Sequence, residues 1–595
     1  MNPPRCHTGL LPALAVLAMG GCVGSVFAAE PPLKLLTASF WGTAEDDDIQ
    51  GAAQAPDGTV YLVGNVGAAA KDLPGGVAAT VLGERAAEPK CGRGFVAHFS
   101  GDLSQLLHYA ELADGIALFT TAQANEHGVY VSGYASDALE PLLQGKPGLM
   151  TKYPLAAEAQ LIKEGKILEA TGLKDKDPIA GRPGLGRYGA PCVLRFTPDL
   201  KAVTAGTYLE GWQQVWDKFR CKTIRPHETF PPDYFWQPTA LGLLKSGDLV
   251  VCHDGGYFRL LTDQDRRIAG GDDLLKRLAF YDCCDWVSRL SPDLSKRAWR
   301  QPIYTPAVDA ETAKRIKGGW PLPHYSSPRT HRMRLDRDEG LFLCGWSASY
   351  TSKEPWWSPY VWKLNPADGK LLWKAYEYDP MSGPDNRMNG TVADTAIATL
   401  ALDGDGNLLA GLLADGGNTV IGWSPKAELG RRFEGPIKGP GLGIKLVHWW
   451  GTIHRVNAET REGMGGARFA GNNKGVAAPG WAVDLASMPG NQVLAAGRCN
   501  FEFPWTGNAW HRGDPEENPT GFVRVYSAEF DLLFSTALPG VIPFEIVPLS
   551  DNRFLIVGQA RNPTAPVANA LFSQSRGKAD GFFYLVRGGP NAAER

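Results

Sequence analysis

The chain has 595 residues and a formal net charge of −3. That near-neutral balance excludes nucleic acid and anionic membrane as main partners. Gly 70 and Pro 44, with 10% aromatic residues, fit a turn-rich all-β protein rather than disorder.

The N-terminus reads as an export signal. Arg5 and His7 precede the apolar run "LLPALAVLAMGG", and "SVFAAE" offers Val26 and Ala28 to a signal peptidase, so residues 1–28 are expected to be a signal peptide. Cys22, after "MGG", is the alternative lipid-anchor site. No later run approaches the length that spans a bilayer, so no transmembrane segment is expected. The protein is expected to be exported: periplasmic, at the cell surface or extracellular.

Residues 29–595 are expected to form one domain built from a repeat. After an N-terminal strand "LKLLTASFW" (33–41), one pattern is an alternating strand entering a polar turn. It occurs as "GFVAHFSGDL" (94–103), "PCVLRFTPDL" (191–200), "DWVSRLSPDL" (285–294), "PYVWKLNPADGK" (359–370), "TVIGWSPK" (419–426), "GFVRVYSAEF" (521–530) and "GFFYLVRGG" (581–589). The other is a turn and an apolar strand ending in glycine, at 64, 133, 345, 411, 497 and 558, with His253 at the third place. Before each such turn lies a strand of small or apolar residues. The unit is thus four antiparallel strands repeated seven times, which buries its faces when packed radially. The final repeat lacks its fourth strand and the chain begins with an orphan one. The expected fold is an all-β seven-bladed β-propeller of four-stranded blades, with the N-terminal strand pairing with the C-terminal strand to close the ring.

The stretches "GFVRVYSAEFDLLFSTALPG" (521–540) and "TASFWGTAEDDDIQGAAQAPDGTVYLVGNV" (37–66) resemble the seven-bladed β-propeller (SBBP) repeats of bacterial exported proteins. The resemblance implies this fold and export. It brings no catalytic residues.

In such a blade the second-to-third loops and the crossovers between blades share one end. The long insertions, at about 135–189, 209–236, 254–284, 305–328, 436–479 and 499–519, all fall in those two classes. One elaborated face is therefore expected to carry function. Its aromatic and basic residues suit sugar rings, whose C–H face stacks while hydroxyls hydrogen-bond. The candidate ligand-binding residues are Trp212, Trp216, Trp236, His253, Trp449, Trp450, His454, Trp505, Trp510 and His511. The competing reading makes these tryptophans small cores that pin long loops. "SKEPWW" adds Trp356 and Trp357 to the same face.

No metal site is expected. "LDGDGN" (Asp403, Asp405, Asn407) lacks the later Gly and Glu of a calcium loop and reads as a turn. "AEDDD" (45–48 for its acidic residues) reads as a solvated turn. No cofactor is expected either. Calcium and pyrroloquinoline quinone are the alternatives, the second because "NPADGKLLWKAY" and the adjacent Cys283 and Cys284 resemble the docking repeat and cysteine pair of quinoprotein dehydrogenases. The disulfide candidates are Cys91, Cys192, Cys221, Cys283, Cys284 and Cys499, while Cys252 and Cys344 are expected to be core thiols.

These residues together point to a monomeric, non-catalytic binding module for glycan or protein. The alternative is a propeller enzyme, either a carbohydrate lyase or glycosidase or a quinoprotein-like dehydrogenase. No catalytic residue can be named.

Overall fold

In the computed structural model the chain is all-β. The structure describes residues 31–85, 93–153, 188–209, 213–214, 239–254, 285–303, 329–350, 355–378, 394–414, 419–427, 431–439, 450–469, 471–473, 476–478, 480–499, 505–512, 520–561, 567–577 and 579–589. Among them no helix is long and apolar enough to cross a membrane.

The strands pair as antiparallel four-strand meanders. The first is Asp48–Gln54, Val60–Val66, Arg93–Phe99 and Leu106–Leu112. The second is Ala117–Asn125, Gly128–Ala135, Tyr188–Phe196 and Val203–Tyr208, and the third is Thr239–Leu243, Leu249–Asp254, Asp285–Leu290 and Arg297–Ile303. The fourth is Arg329–Leu335, Leu341–Tyr350, Pro355–Leu364 and Leu371–Ala375, and the fifth is Thr395–Leu402, Leu408–Ala414, Trp450–Val456 and Gly463–Phe469. The sixth is Gly480–Met488, Gln492–Cys499, Thr520–Tyr526 and Leu532–Pro539. A terminal meander combines Val541–Leu549, Arg553–Ala560 and Asp580–Gly588 with Leu33–Trp41 from the other end of the chain. In it Leu33 stands opposite Gly588 and Trp41 opposite Gly581.

The polar turns of the repeat have a local cause. In "SGDL", "TPDL" and "SPDL" the serine or threonine carbonyl accepts the N–H of the final leucine, at 2.8–2.9 Å. Leu103, Leu200 and Leu294 adopt φ of 60°, 58° and 60°, a costly left-handed conformation for leucine. Their complete burial in the core holds them there.

The fifth meander corrects the sequence reading. Its third strand is Trp450–Val456, not 419–426, and Val420–Gly422 forms a 3₁₀ turn. Residues 450–469 are therefore two sheet strands inside the stretch expected as the 436–479 insertion. The insertion that displaces them lies between Leu408–Ala414 and Trp450–Val456.

The described parts of the insertions run alongside the last strand of their meanders. Ala79–Leu82 pairs in parallel with Leu106–Leu112, and Ile437–Lys438 with Gly463–Phe469. Gly206 N–H donates to Pro147 and Tyr208 N–H to Met150. Thr506 N–H donates to Ser535, and Ala537 N–H to His511. Ala38 exchanges two backbone hydrogen bonds with Ala568. These segments occupy backbone groups that an edge strand otherwise leaves open to a foreign strand.

The lead strands, first in each meander, pack on one another. Asp48–Gln54 contacts Ala117–Asn125, which contacts Thr239–Leu243, then Arg329–Leu335, Thr395–Leu402, Gly480–Met488 and Val541–Leu549 in turn. Val541–Leu549 also contacts Asp48–Gln54.

Candidate functional site

Every lead strand but that of the third meander shares one irregularity. The pairing register shifts between Ile49 and Gly51, Phe119 and Thr121, Thr330 and Arg332, Ile397 and Thr399, Ala482 and Asp484, and Pro543 and Glu545. Each shift is a β-bulge with one unpaired extra residue. The glycines of the sequence pattern explain it. Gly64, Gly133, Gly497 and Gly558 lie opposite the bulges, and a Cβ on any of them would stand 1.8–2.1 Å from a lead-strand carbonyl oxygen. The third meander has His253 at that place, and its lead strand pairs in unbroken register from Thr239 opposite His253 to Leu243 opposite Leu249.

The residue after each bulge is Gly51, Thr121, Arg332, Thr399, Asp484 or Glu545. Four of these build a buried charge cluster that joins the lead strands of the fourth, fifth, sixth and terminal meanders. Arg334 Nη2 donates to both Asp484 oxygens, at 3.2 and 3.1 Å. Thr399 Oγ1 donates to Asp484 Oδ1 at 2.6 Å, and Ile546 N–H to Oδ2 at 2.8 Å. Arg332 Nε lies 3.7 Å from Asp484 Oδ1, and its Nη2 donates to the Phe544 carbonyl. Arg334 Nη1 is 3.9 Å from Glu545 Oε1. Burial pushes the Glu545 carboxyl up to about 7, against the pull of Arg334 and Arg332. Arg332 Nη1 and Glu545 Oε2 are buried without a hydrogen bond among the described residues. Glu545 fits because Gly51 opposite has no side chain: a Cβ there would lie 2.9 Å from Glu545 Oε2. The sequence signal for this cluster was charge in lead strands otherwise made of small and apolar residues.

A cavity of about 150 Å³ opens beside Arg334, between the lead strands of the second, third and fourth meanders. It is lined by Gln123, Leu241, Gly242, Leu243, Met333, Arg334 and Leu335.

Where Leu341–Tyr350 and Pro355–Leu364 pair, Trp346 and Trp357 stack with ring centroids 4.4 Å apart and planes at 16°. Both are half-buried, and the backbone N–H of Trp357 donates to Asp394 Oδ1 at 2.9 Å. Trp346 was not among the sequence candidates.

The candidates themselves scatter. Trp212, Trp216, Trp236 and Trp449, with Cys22, Cys91, Cys221, Cys283 and Cys284, lie outside the described residues. His253, Trp450 and His454 are strand residues, 1%, 5% and 0% exposed, and so offer no surface to a ligand. His454 Nδ1 lies 3.0 Å from Tyr376 Oη, its ring packs 4.1 Å from Phe433, and burial lowers its pKa to about 3. Trp505, Trp510 and His511 flank or belong to the segment on the last strand of the sixth meander. Trp505 packs into that core, and Trp510 lies 5.1 Å from Phe534. The pinning role fits them.

Cys192 and Cys499 are buried thiols inside strands, not halves of bridges. Strand neighbours surround each: Cys192 faces Gly133 and Tyr208, and Cys499 faces Gly480 and Thr520. Cys252 and Cys344 are buried thiols as expected. In "LDGDGN" the Asp403 carboxylate accepts the N–H groups of Asp405 and Asn407 and lies 3.0 Å from Arg455 Nε, which makes it a turn anchor. In "NPADGK" Trp299 Nε1 donates to the Pro366 carbonyl at 2.9 Å and covers Gly369, so this turn docks on the third meander.

The acidic run is solvated only in its first half: Glu45 and Asp46 are exposed, as expected, but the next two residues are not. Asp47 and Asp48 are 1% and 5% exposed. Asp47 accepts from the Thr43 hydroxyl and the Gly67 N–H, and Asp48 from the Asn65 amide. Burial pushes Asp47 up to about 7, with the nearby Asp580 adding to the rise. Groups of three or more His, Cys, Asp or Glu able to hold a metal are absent among the described residues.

No family model matches the chain, and no curated protein matches it. Among solved structures, a protein of unknown function from Dyadobacter fermentans aligns at 10% identity over 94% of this chain and 100% of its own, with a TM-score of 0.35. A quinohemoprotein alcohol dehydrogenase from Comamonas testosteroni aligns at 9% identity over 94% and 77%, also at 0.35. The WD40 β-propeller domain of Doa1 aligns at 6% identity over 78% and 93%, at 0.25. At these scores the likenesses carry no conclusion, and the fold rests on the strand pairing.

Proposed function

We propose that the chain is an exported seven-bladed β-propeller that works as a non-catalytic binding module, taking a glycan at its loop-bearing end. The cyclic order of lead-strand contacts, from Asp48–Gln54 through Val541–Leu549 and back, supports the blade count and a ring joined by both ends of the chain. The SBBP resemblance and the signal-like residues 1–28 support export.

The observation that carries the ligand class is the half-buried Trp346–Trp357 stack. A tryptophan face takes the C–H face of a pyranose, and a hydrogen-bonding carboxylate beside it suits the hydroxyls. The carboxylate in contact here is Asp394, held to the Trp357 backbone N–H. The central carboxylates favour scaffolding over catalysis, because Asp484 is committed to Arg334, Thr399 and the Ile546 N–H.

A glycan array probed with the full chain tests the reading. Bound glycans whose signal falls at least tenfold in Trp357→Ala, with the fold unchanged by circular dichroism, are expected. An empty array, with a protein partner captured at the same end, would replace glycan by protein. Turnover of a bound saccharide would replace the binder by an enzyme.

A further inference from the structure

We propose that the cavity beside Arg334 is a binding site for a small carboxylate anion, separate from the tryptophan stack. It lies beside the one lead strand whose described residues pair without a bulge. With His253 in place of glycine, Thr239–Leu243 runs straight, and Leu241 and Leu243 line one side of the cavity.

Arg334 is the border between the buried charge cluster and this space. Its side chain is 27% exposed, against 1% for its partner Asp484. Nη2 is held by Asp484 and Nη1 donates to the Met333 carbonyl. Its Nε–H has no acceptor among the described residues, so the fork keeps a donor for the cavity. Gln123 on the facing strand has a single long hydrogen bond, 3.5 Å to the Leu241 carbonyl, and keeps a second amide N–H. A guanidinium edge and an amide donor converge on one space, and that is the donor set for a planar carboxylate.

Charge points the same way. Asp484 and Glu545, which pair with the guanidinium, are not among the residues that line the cavity, and they face two arginines. Since the Glu545 carboxyl holds its proton up to about pH 7, the cluster is net positive below neutrality. Size sets the ligand class. The volume of about 150 Å³ equals roughly five waters at about 30 Å³ each. The exposed lining is mainly polar, with Leu241, Leu243 and Met333 adding a small apolar part, which leaves room for only a short hydrocarbon. A short-chain carboxylic acid fits both.

Thermal unfolding of the full chain with sodium butyrate, butyramide, inorganic phosphate or sodium chloride at matched ionic strength tests this. Butyrate is expected to raise the melting temperature saturably, while the other three are not. Leu243→Trp fills the space and is expected to abolish the butyrate shift. Gln123→Leu, an independent variant that keeps the charge cluster intact, is expected to weaken butyrate binding at least threefold by calorimetry. Equal shifts from butyrate and butyramide would overturn the proposal. So would a phosphate shift as large as that of butyrate, or full butyrate binding in either variant.

Discussion

Gly133 lies opposite Phe119 at the bulge of the second lead strand, and a Cβ on Gly133 would stand 1.8 Å from the carbonyl oxygen of Leu118. The glycine that recurs through the sequence is thus the imprint of the extra residue it faces. Backbone oxygen cannot swing aside as a side chain can, so the strand must shift to admit even a methyl group.

Gly133→Ala is accordingly expected to destabilise the chain by on the order of 1–3 kcal/mol, the range for overpacking a close-packed interior. Gly58→Ala is the comparison. Gly58 has φ +86° with nothing within 4 Å of its would-be Cβ, so only the backbone conformation is penalised, by about 1 kcal/mol. Urea midpoints of both variants decide it. An unchanged midpoint in Gly133→Ala would mean that the close approach there costs nothing.

Asp484 joins Arg332, Arg334, Thr399 and the backbone of Ile546. Asp484→Ala strands two arginines in the interior and is expected to cost about 3–5 kcal/mol. Thr399→Val removes one hydrogen bond while Asp484 keeps its other donors, and is expected to cost about 1 kcal/mol. Denaturant titration gives both, and a loss below 1 kcal/mol in Asp484→Ala would show the cluster to be dispensable for folding.

Two buried groups give opposite pH dependence. His454 takes a proton at 6.5 when unfolded and only at about 3 when folded, so protonation favours the unfolded chain. Its contribution is full above pH 6.5 and is lost as pH falls toward 3, by up to about 1.4 kcal/mol per pH unit. Glu545 keeps its proton to about 7 when folded and loses it at 4.5 when unfolded. Its contribution is full below pH 4.5 and is lost as pH rises toward 7. Against the parent chain, His454→Gln should flatten the acid fall, and Glu545→Gln should flatten the fall toward neutrality. Stability profiles from pH 4 to 8 that superimpose on the parent's would refute both assignments.

Cys192, Cys252, Cys344 and Cys499 are buried thiols, and burial pushes the Cys499 thiol up to about 12. All four should resist iodoacetamide in the folded chain and react after denaturation without reductant. A peptide map with Cys192 or Cys499 in a disulfide would contradict this.

What the sequence disclosed was whatever has a local cause. The "SPDL" turns and the glycines opposite bulges are dictated by neighbours a few residues away or by one paired strand. Even the odd third meander was announced by His253. The fifth was misread because "TVIGWSPK" imitates a strand turn, while the true strand at Trp450 follows a long insertion. Asp47 and Asp48 looked solvated because their burial is made by Gly67, Asn65 and Asp580, distant along the chain. Trp450 and His454 sat among loop-like residues in sequence but inside a sheet in space. Nothing in "LVHWWGTIHRV" alone separates those two settings.

The pairing of Leu33–Trp41 with Asp580–Gly588 also dictates when the molecule can be finished. Leu33–Trp41 receives its partner only after more than five hundred residues have followed it, so this sheet forms only when both distant strands have been made. Until then Leu33–Trp41 must wait with an unmatched edge, or fold late. Loop closure grows only slowly with length, by about 0.6 kcal/mol per doubling, so this delay is a matter of timing more than of stability. Trimming either terminus into these strands leaves the same sheet open, which makes the two ends of the chain a single unit of inheritance.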